Sequence, residues 1–228
     1  MPGSLIIIDG PSGSGKDSLI AALFKRLSNS QVYVVDEEVL DRDRRYEIIT
    51  AKDRGKARGG SGDREMAAVL IAHRARVYRD HLIPRLKDGR TVIANRGEPA
   101  TLAYQTARGE LTMDDVWNMH RRIGIPTPDL VVLTTCSPRT AIMREQGDKT
   151  APSIRTEKES GRGLSGKVTQ EAGASETEKL ARRELIHAQY ETAQRFLKRK
   201  RVPVLSLNTE KMTVSAEVEA VVELLGRK

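Results

Sequence analysis

Between Leu5 and Leu19 the chain reads LIIIDGPSGSGKDSL, and this order restricts the fold more than any other stretch. An apolar run, Leu5 to Ile8, stops at Asp9-Gly10. A glycine-rich loop follows, then Lys16, then an apolar-periodic segment carrying Leu19, Ile20 and Leu23. The order is strand, loop, helix, and Gly10-x-x-x-x-Gly15-Lys16 is the phosphate-binding loop pattern in the context that gives it meaning. Gly10, Gly13 and Gly15 allow backbone angles closed to other residues, so N–H groups of the loop, Ser12 and Ser14 included, can point at phosphate oxygens. The helix opening at Lys16 adds its positive end, and Lys16 supplies a point charge for the β- and γ-phosphates of ATP. The position after the lysine usually carries a hydroxyl that binds Mg²⁺. Here it is Asp17, with Ser18 next. A carboxylate is a good Mg²⁺ ligand and also a good first-turn helix residue. The metal role is favoured.

The 228 residues suit one domain, 1–228, with an elaborated segment inserted. Aromatics make up only 4%, so the core must rest on Leu, Ile, Val and Ala. The net charge of +8 points to a polyanionic partner, but it is spread along the chain, which argues for phosphorylated small molecules over nucleic acid. A single cysteine, Cys136, in an apolar stretch fits a small core residue and a reducing cytoplasm. No run has transmembrane length, and the first strand starts too early for a signal peptide. His73, His81, His120 and His187 show no metal-ligand spacing.

Five strands are expected, at 5–9, 31–35, 90–94, 129–134 and 202–207, alternating with helices. The implied fold is α/β, a five-stranded parallel sheet flanked by helices on both faces, with ligands at the carboxyl ends of the strands. Residues 51–63, AKDRGKARGGSGD, read as a flexible basic loop, and 64–86 as a long helix whose last turn Pro84 kinks or unwinds. Asp36–Arg45 is densely charged, either a solvated helix face or a substrate-side segment. Thr112-x-x-Asp115 and Ser137-Pro138 are helix starts. Residues 146–175, polar and basic, read as a mobile lid that orders over ligand.

Several spacings resemble the thymidylate kinase family of nucleoside monophosphate kinases. Asn95-Arg96 is followed by Ala103-Tyr104-Gln105, where the family has Asp-Arg and Ala-Tyr-Gln at the same spacing. Pro84-x-Leu86-x-x-Gly89 precedes that strand, and Pro128-Asp129-Leu130 leads the next one, whose helix carries Arg144. Glu178-Lys179-Leu180 and Tyr190 look like the family's helix after the lid. The resemblance implies ATP-dependent phosphorylation of a nucleoside monophosphate, dTMP or a related pyrimidine deoxynucleotide, by a Mg²⁺-dependent cytoplasmic homodimer.

Residue by residue, it implies that Arg74 contacts the base and Leu70 takes the place of the stacking aromatic. Arg96 lies near the acceptor phosphate, and Tyr104 and Gln105 line sugar and base. Arg144 reaches the transferred phosphoryl. Gly13 stands where some members carry an arginine, so the transition-state arginine should come from the lid, Arg155 ahead of Arg162. Besides Leu70, the chain departs from the family elsewhere. Asn95 replaces an Asp near the metal while Asp17 adds a carboxylate across from it, as if the metal-binding carboxylate had moved. Asp36-Glu37-Glu38 stands where the family has an arginine that grips the acceptor phosphate. Ser12 replaces an acidic loop residue. A kinase of another phosphorylated metabolite, such as a ribose bisphosphate, is the alternative, carried by the Gly-Pro-Ser-Gly-Ser-Gly-Lys-Asp-Ser string alone.

Overall fold

The computed structural model describes residues 3–27, 32–40, 44–147 and 175–226. Five parallel strands, β1 (Leu5–Asp9), β2 (Val32–Asp36), β3 (Thr91–Asn95), β4 (Leu130–Thr135) and β5 (Val204–Asn208), form one sheet in the order β2-β3-β1-β4-β5. β1 therefore lies at the centre, and its four aliphatic residues are at most 1% exposed. Alternation divides them between two cores. Leu5 and Ile7 pack on one face with Tyr78, Leu102 and Phe196; Ile6 and Ile8 pack on the other with Leu19, Leu23 and Val221. A strand buried on both faces must be apolar, which is why β1, β3 and β4 were legible as apolar runs, whereas the edge strands β2 and β5 are only partly buried.

Helices α1 (Lys16–Arg26) and α10 (Val214–Gly226) cover one face. On the other lie α4 (Asp63–Val77), α6 (Glu98–Gln105), α7 (Met113–Arg122) and α9 (Glu176–Arg199). Short α2 (Glu37–Leu40), α3 (Arg44–Ala57), α5 (Ile83–Lys87) and α8 (Pro138–Gly147) complete the set.

Two local expectations change, and one open alternative narrows. The basic stretch at 51–63 is not a loop: α3 runs through Ala57, and only 58–62 link it to α4. Two of its glycines, Gly55 and Gly62, serve close helix approach. A Cβ on Gly55 would lie 2.4 Å from Gly62 Cα, and one on Gly62 would lie 2.5 Å from the Lys52 carbonyl oxygen. Pro84 does not kink the helix by itself. A π-helical turn, Tyr78–Leu82, separates α4 from α5, and Pro84 falls at the start of α5, where its missing N–H costs nothing. Glu37, within the charged stretch at 36–45, is buried rather than solvated. The helix starts at Thr112 and Ser137 hold. Thr112 forms a capping box with Asp115, and Ser137 Oγ accepts from the Thr140 amide at 3.2 Å. The expected lid at 146–175 lies almost wholly outside the described residues, as do Arg155 and Arg162.

Candidate active site

The carboxyl edge of the sheet gathers the chemistry. Between β1 and α1 the loop Gly10–Gly15 wraps inward, with Gly10, Gly13 and Gly15 at φ of 150°, 78° and 93°. Lys16 is 6% exposed, and its ammonium donates to the Gly10 carbonyl at 2.9 Å and the Pro11 carbonyl at 2.8 Å. Burial, assisted by the charge of Arg96, lowers its pKa to about 7. Ser14 is fully buried; Thr134 Oγ1 donates to the Asp9 carbonyl and so accepts from Ser14 Oγ at 2.7 Å. Ser12 is half-buried, while Asp17 and Ser18 face outward on the first turn of α1. No side chain fits at Gly13, where a Cβ would come within 2.4 Å of the Ala141 carbonyl oxygen.

Strand register builds the neighbouring wall. Asp36 pairs laterally with Asn95, and Asn95 with Ile8. Asn95 Nδ2 donates to Asp36 at 2.9 Å and lies 3.5 Å from Asp17, so two carboxylates flank one amide beside the phosphate loop. Asn95 Oδ1 is buried with no partner. Among the described residues no three His, Cys, Asp or Glu side chains group as a metal site. The two carboxylates are oxygen donors of the kind a hard cation takes, while the Asn95 amide turns its NH2 toward them. The sequence reading placed Asp17 against Asn95 correctly and missed Asp36 as their neighbour.

Past Asn95 the chain turns sharply. Arg96 adopts φ of 70°, a strained angle for a side-chain-bearing residue, with its amide on the Ile8 carbonyl at 2.9 Å. Gly97 and Ala100 amides then donate to Asp9 Oδ2 at 3.0 and 2.9 Å. Asp9 Oδ1 accepts from the Gly10 amide at 2.7 Å and the Tyr190 hydroxyl at 3.0 Å. This fully buried carboxylate fastens the phosphate loop, the start of α6 and the middle of α9 together. Sequence reasoning missed it. The available signal was a charged residue closing an otherwise apolar strand.

On the acceptor side, Tyr104 is half-buried and meets Tyr190 edge-on at 6.1 Å, while Gln105 is 4% exposed. Leu70, on α4, is half-buried. Arg74 is 1% exposed and engaged from three sides: Nε donates to Glu37 at 2.5 Å, and Nη1 donates to Thr101 at 2.9 Å and to His120 Nε2 at 2.7 Å. Because His120 Nδ1 faces the Val116 carbonyl at 2.8 Å, the ring is neutral with its proton on Nδ1. Burial and the Arg74 charge hold its pKa down at about 3. Burial works against the Arg74 charge, but Glu37 more than offsets it and raises the guanidinium above its ordinary range. Glu98, buried beneath the same cluster against Arg121, is pushed up by desolvation.

On the donor side, Arg144 lies on α8 against the loop. Its Nη1 donates to Thr209 Oγ1 at 2.7 Å and to the Gly13 carbonyl at 3.4 Å, and Nη2 donates to the Thr209 carbonyl at 3.1 Å. Thr209, which follows β5, had no signal in the sequence. Arg183, on α9, also escaped notice. Its Nη1 donates to the Ser12 carbonyl at 3.3 Å and its Nη2 pairs with Glu145. The structure thus brings Lys16, Asp17, Asn95, Arg96, Tyr104, Gln105 and Arg144 to one edge and leaves Arg74 beneath it, inside an ion pair.

The sequence profile of the thymidylate kinase family matches residues 8–165, well over half of the chain. The chain is 28% identical over 160 residues to a thymidylate kinase of Chlamydia trachomatis, covering 63% of this chain and 72% of that one. It is 30% identical over 140 residues to a probable thymidylate kinase of Pyrobaculum calidifontis, covering 61% and 67%. The solved structure of a thymidylate kinase from Ehrlichia chaffeensis superposes with a TM-score of 0.64 over 99% of this chain and 100% of that one, at 14% identity. The matched span begins in β1 and takes in the phosphate loop, the Asn95–Gln105 turn and Arg144, and at well over half of the chain it shows that the chain belongs to the thymidylate kinase family.

Proposed function

We propose that the chain transfers the γ-phosphoryl group of ATP to a nucleoside monophosphate, dTMP or a related pyrimidine deoxynucleotide, giving the diphosphate. One observation carries the reading. A phosphate loop with a buried lysine shares its sheet edge with the Asn95–Gln105 turn, so donor and acceptor sites face each other across β1 and β3. Phosphoryl transfer asks for position and charge neutralisation and little covalent chemistry from the protein. The loop amides and Lys16 hold the donor phosphates, with Arg144 fixed alongside. Arg96 meets the acceptor phosphate, and Tyr104 and Gln105 line its sugar and base. Attack by an oxygen of the acceptor monophosphate forms the new P–O bond as the bond to the bridging β-oxygen breaks. The electron pair stays on ADP, and no proton need move.

Asp17, with Asp36 and Asn95 beside it, would hold Mg²⁺. When bound, that ion screens the charge between β- and γ-phosphates. Asp36 stands where relatives of this type would place a cation, so the acceptor site is less positive than the resemblance implies. Arg74 shapes that site from below, through Glu37 and Thr101, and Leu70 borders it. Arg155 retains its proposed part in transfer. A cytoplasmic homodimer completes the proposal; the basic charge serves nucleotides, not nucleic acid. Among the described residues no helix is long and apolar enough to cross a membrane.

The test is ADP release with ATP and Mg²⁺ against dTMP, dUMP, dCMP, dGMP, UMP and ribose bisphosphate. Stimulation by a pyrimidine deoxynucleotide is expected. Stimulation by the sugar phosphate alone, or by nothing, defeats the reading.

A further inference from the structure

The side of α9 that faces the phosphate loop carries three polar contacts at helical spacing. Tyr190 reaches Asp9, His187 hydrogen-bonds the Cys136 backbone, and Arg183 reaches the Ser12 carbonyl. Residues at i, i+4 and i+7 share one helix face, so α9 lies along the loop from its root to its tip. Its position is fixed at the root by the buried Tyr190–Asp9 bond.

Arg183 is the member of this stripe that sits at the tip, beside Gly13. The tip needs a cation from outside, because Gly13 is left-handed and closed against the Ala141 carbonyl, so no side chain can grow there. Arg144, the other arginine against the tip, is committed to Thr209 through both terminal nitrogens. Arg183 is held differently. Its partner is Glu145, a carboxylate near enough to Lys16 to act on its charge. Arginine binds carboxylate and phosphoryl oxygens with the same forked geometry. ATP in the loop brings negative charge toward Glu145 and offers the guanidinium an equivalent partner within side-chain reach.

We propose that Arg183 exchanges Glu145 for the migrating phosphoryl group and is a catalytic residue of the transfer. The assignment rests on the phosphotransfer reading above. Arg183 neither gives nor takes a proton. It neutralises charge on the equatorial oxygens while the bond to the acceptor oxygen forms and the bond to the ADP oxygen breaks.

The experiment compares wild type, Arg183→Ala, Arg183→Lys and Glu145→Gln in steady-state turnover with the best nucleoside monophosphate. Each variant is also titrated with ATP, and with ADP plus aluminium fluoride and acceptor as a mimic of the transfer state. Arg183→Ala is expected to lower kcat by about a thousandfold. Its ATP affinity should stay within about threefold, and it should lose the tight aluminium fluoride complex. Arg183→Lys should recover only part, since lysine lacks the fork. Glu145→Gln should retain kcat or raise it. If Arg183 only clamps α8 to α9, Arg183→Ala and Glu145→Gln lose activity and thermal stability together, which overturns the proposal. An Arg183→Ala enzyme with near wild-type kcat overturns it as well. A wild-type enzyme that no monophosphate stimulates overturns the phosphotransfer reading, and this assignment with it.

Discussion

Lys16 shows how a single residue reports on the empty and filled states of the loop. With its ammonium buried among carbonyls, its pKa stands at about 7, against 10.5 in the unfolded chain. The unfolded chain therefore binds more protons between those values, and the ligand-free fold gains stability as pH rises through that window. ATP supplies the anion that the lysine needs, so binding at pH 8 should take up close to one proton. Calorimetry in two buffers of different ionisation enthalpy measures this, and no uptake would contradict it. Asp17 and Asn95 bear on the metal. Asp17→Asn should raise the Mg²⁺ concentration for half-maximal rate at least tenfold, whereas an Asp17→Ser enzyme with unchanged Mg²⁺ dependence would return Asp17 to a plain helix-start role. The Arg74–Glu37 pair predicts a fold effect. Glu37→Ala leaves a buried guanidinium uncompensated and should cost about 3–5 kcal/mol in urea unfolding. A paired Arg74→Met, Glu37→Leu variant should cost less than the single change. These residue partnerships were hard to read from sequence because the partners are remote. Gly97 meets Asp9 across 88 positions and Tyr190 meets it across 181. The pair Asp17 and Asn95 was legible because two departures from a known spacing pointed to each other.

At the level of elements, composition misled once and periodicity served well elsewhere. The three inner strands announced themselves because burial on both faces excludes polar residues from a central strand, and the edge strands β2 and β5 kept enough aliphatic residues to be read as well. Residues 51–57 did not announce a helix. Lysine, arginine and glycine there resemble a linker, yet Ala51 is fully buried, and Gly55 and Gly62 let two helices close to backbone contact. Glycine identity alone does not say whether it serves freedom or proximity. The distinction can be measured. Gly62→Ala puts a Cβ at φ of 81° against a carbonyl and should cost more than about 1 kcal/mol. Gly109→Ala, at φ of 78° with open space around it, should cost less. Equal costs would mean that backbone angle, and not helix approach, sets the price. The α9 stripe was half visible, since Tyr190 was marked by resemblance and Arg183 lies two turns before it.

For the whole molecule, the central placement of β1 makes the nucleotide site and the core one structure. Strand order β2-β3-β1-β4-β5 brings the donor loop, the acceptor turn after β3 and the helix after β4 to one edge. Filling the donor loop should therefore stabilise the domain globally. At a hundredfold excess over Kd, ATP with Mg²⁺ should add about 2.7 kcal/mol and raise Tm by about 5–10 °C in a chain of this size. Loss of that shift in Lys16→Ala would assign it to the loop.

Asp9 touches no nucleotide in any part of this reading, yet it receives four donors from three separate regions of the chain. Asparagine there would turn one acceptor oxygen into a donor facing donors, at roughly 1–3 kcal/mol for each bond left unmet. In a growth selection across every position of the chain, Asp9 should tolerate substitution as poorly as Lys16. A map of intolerance would then mark the keystone and the phosphate ligand alike, and only binding measurements on refolded variants would tell the two apart.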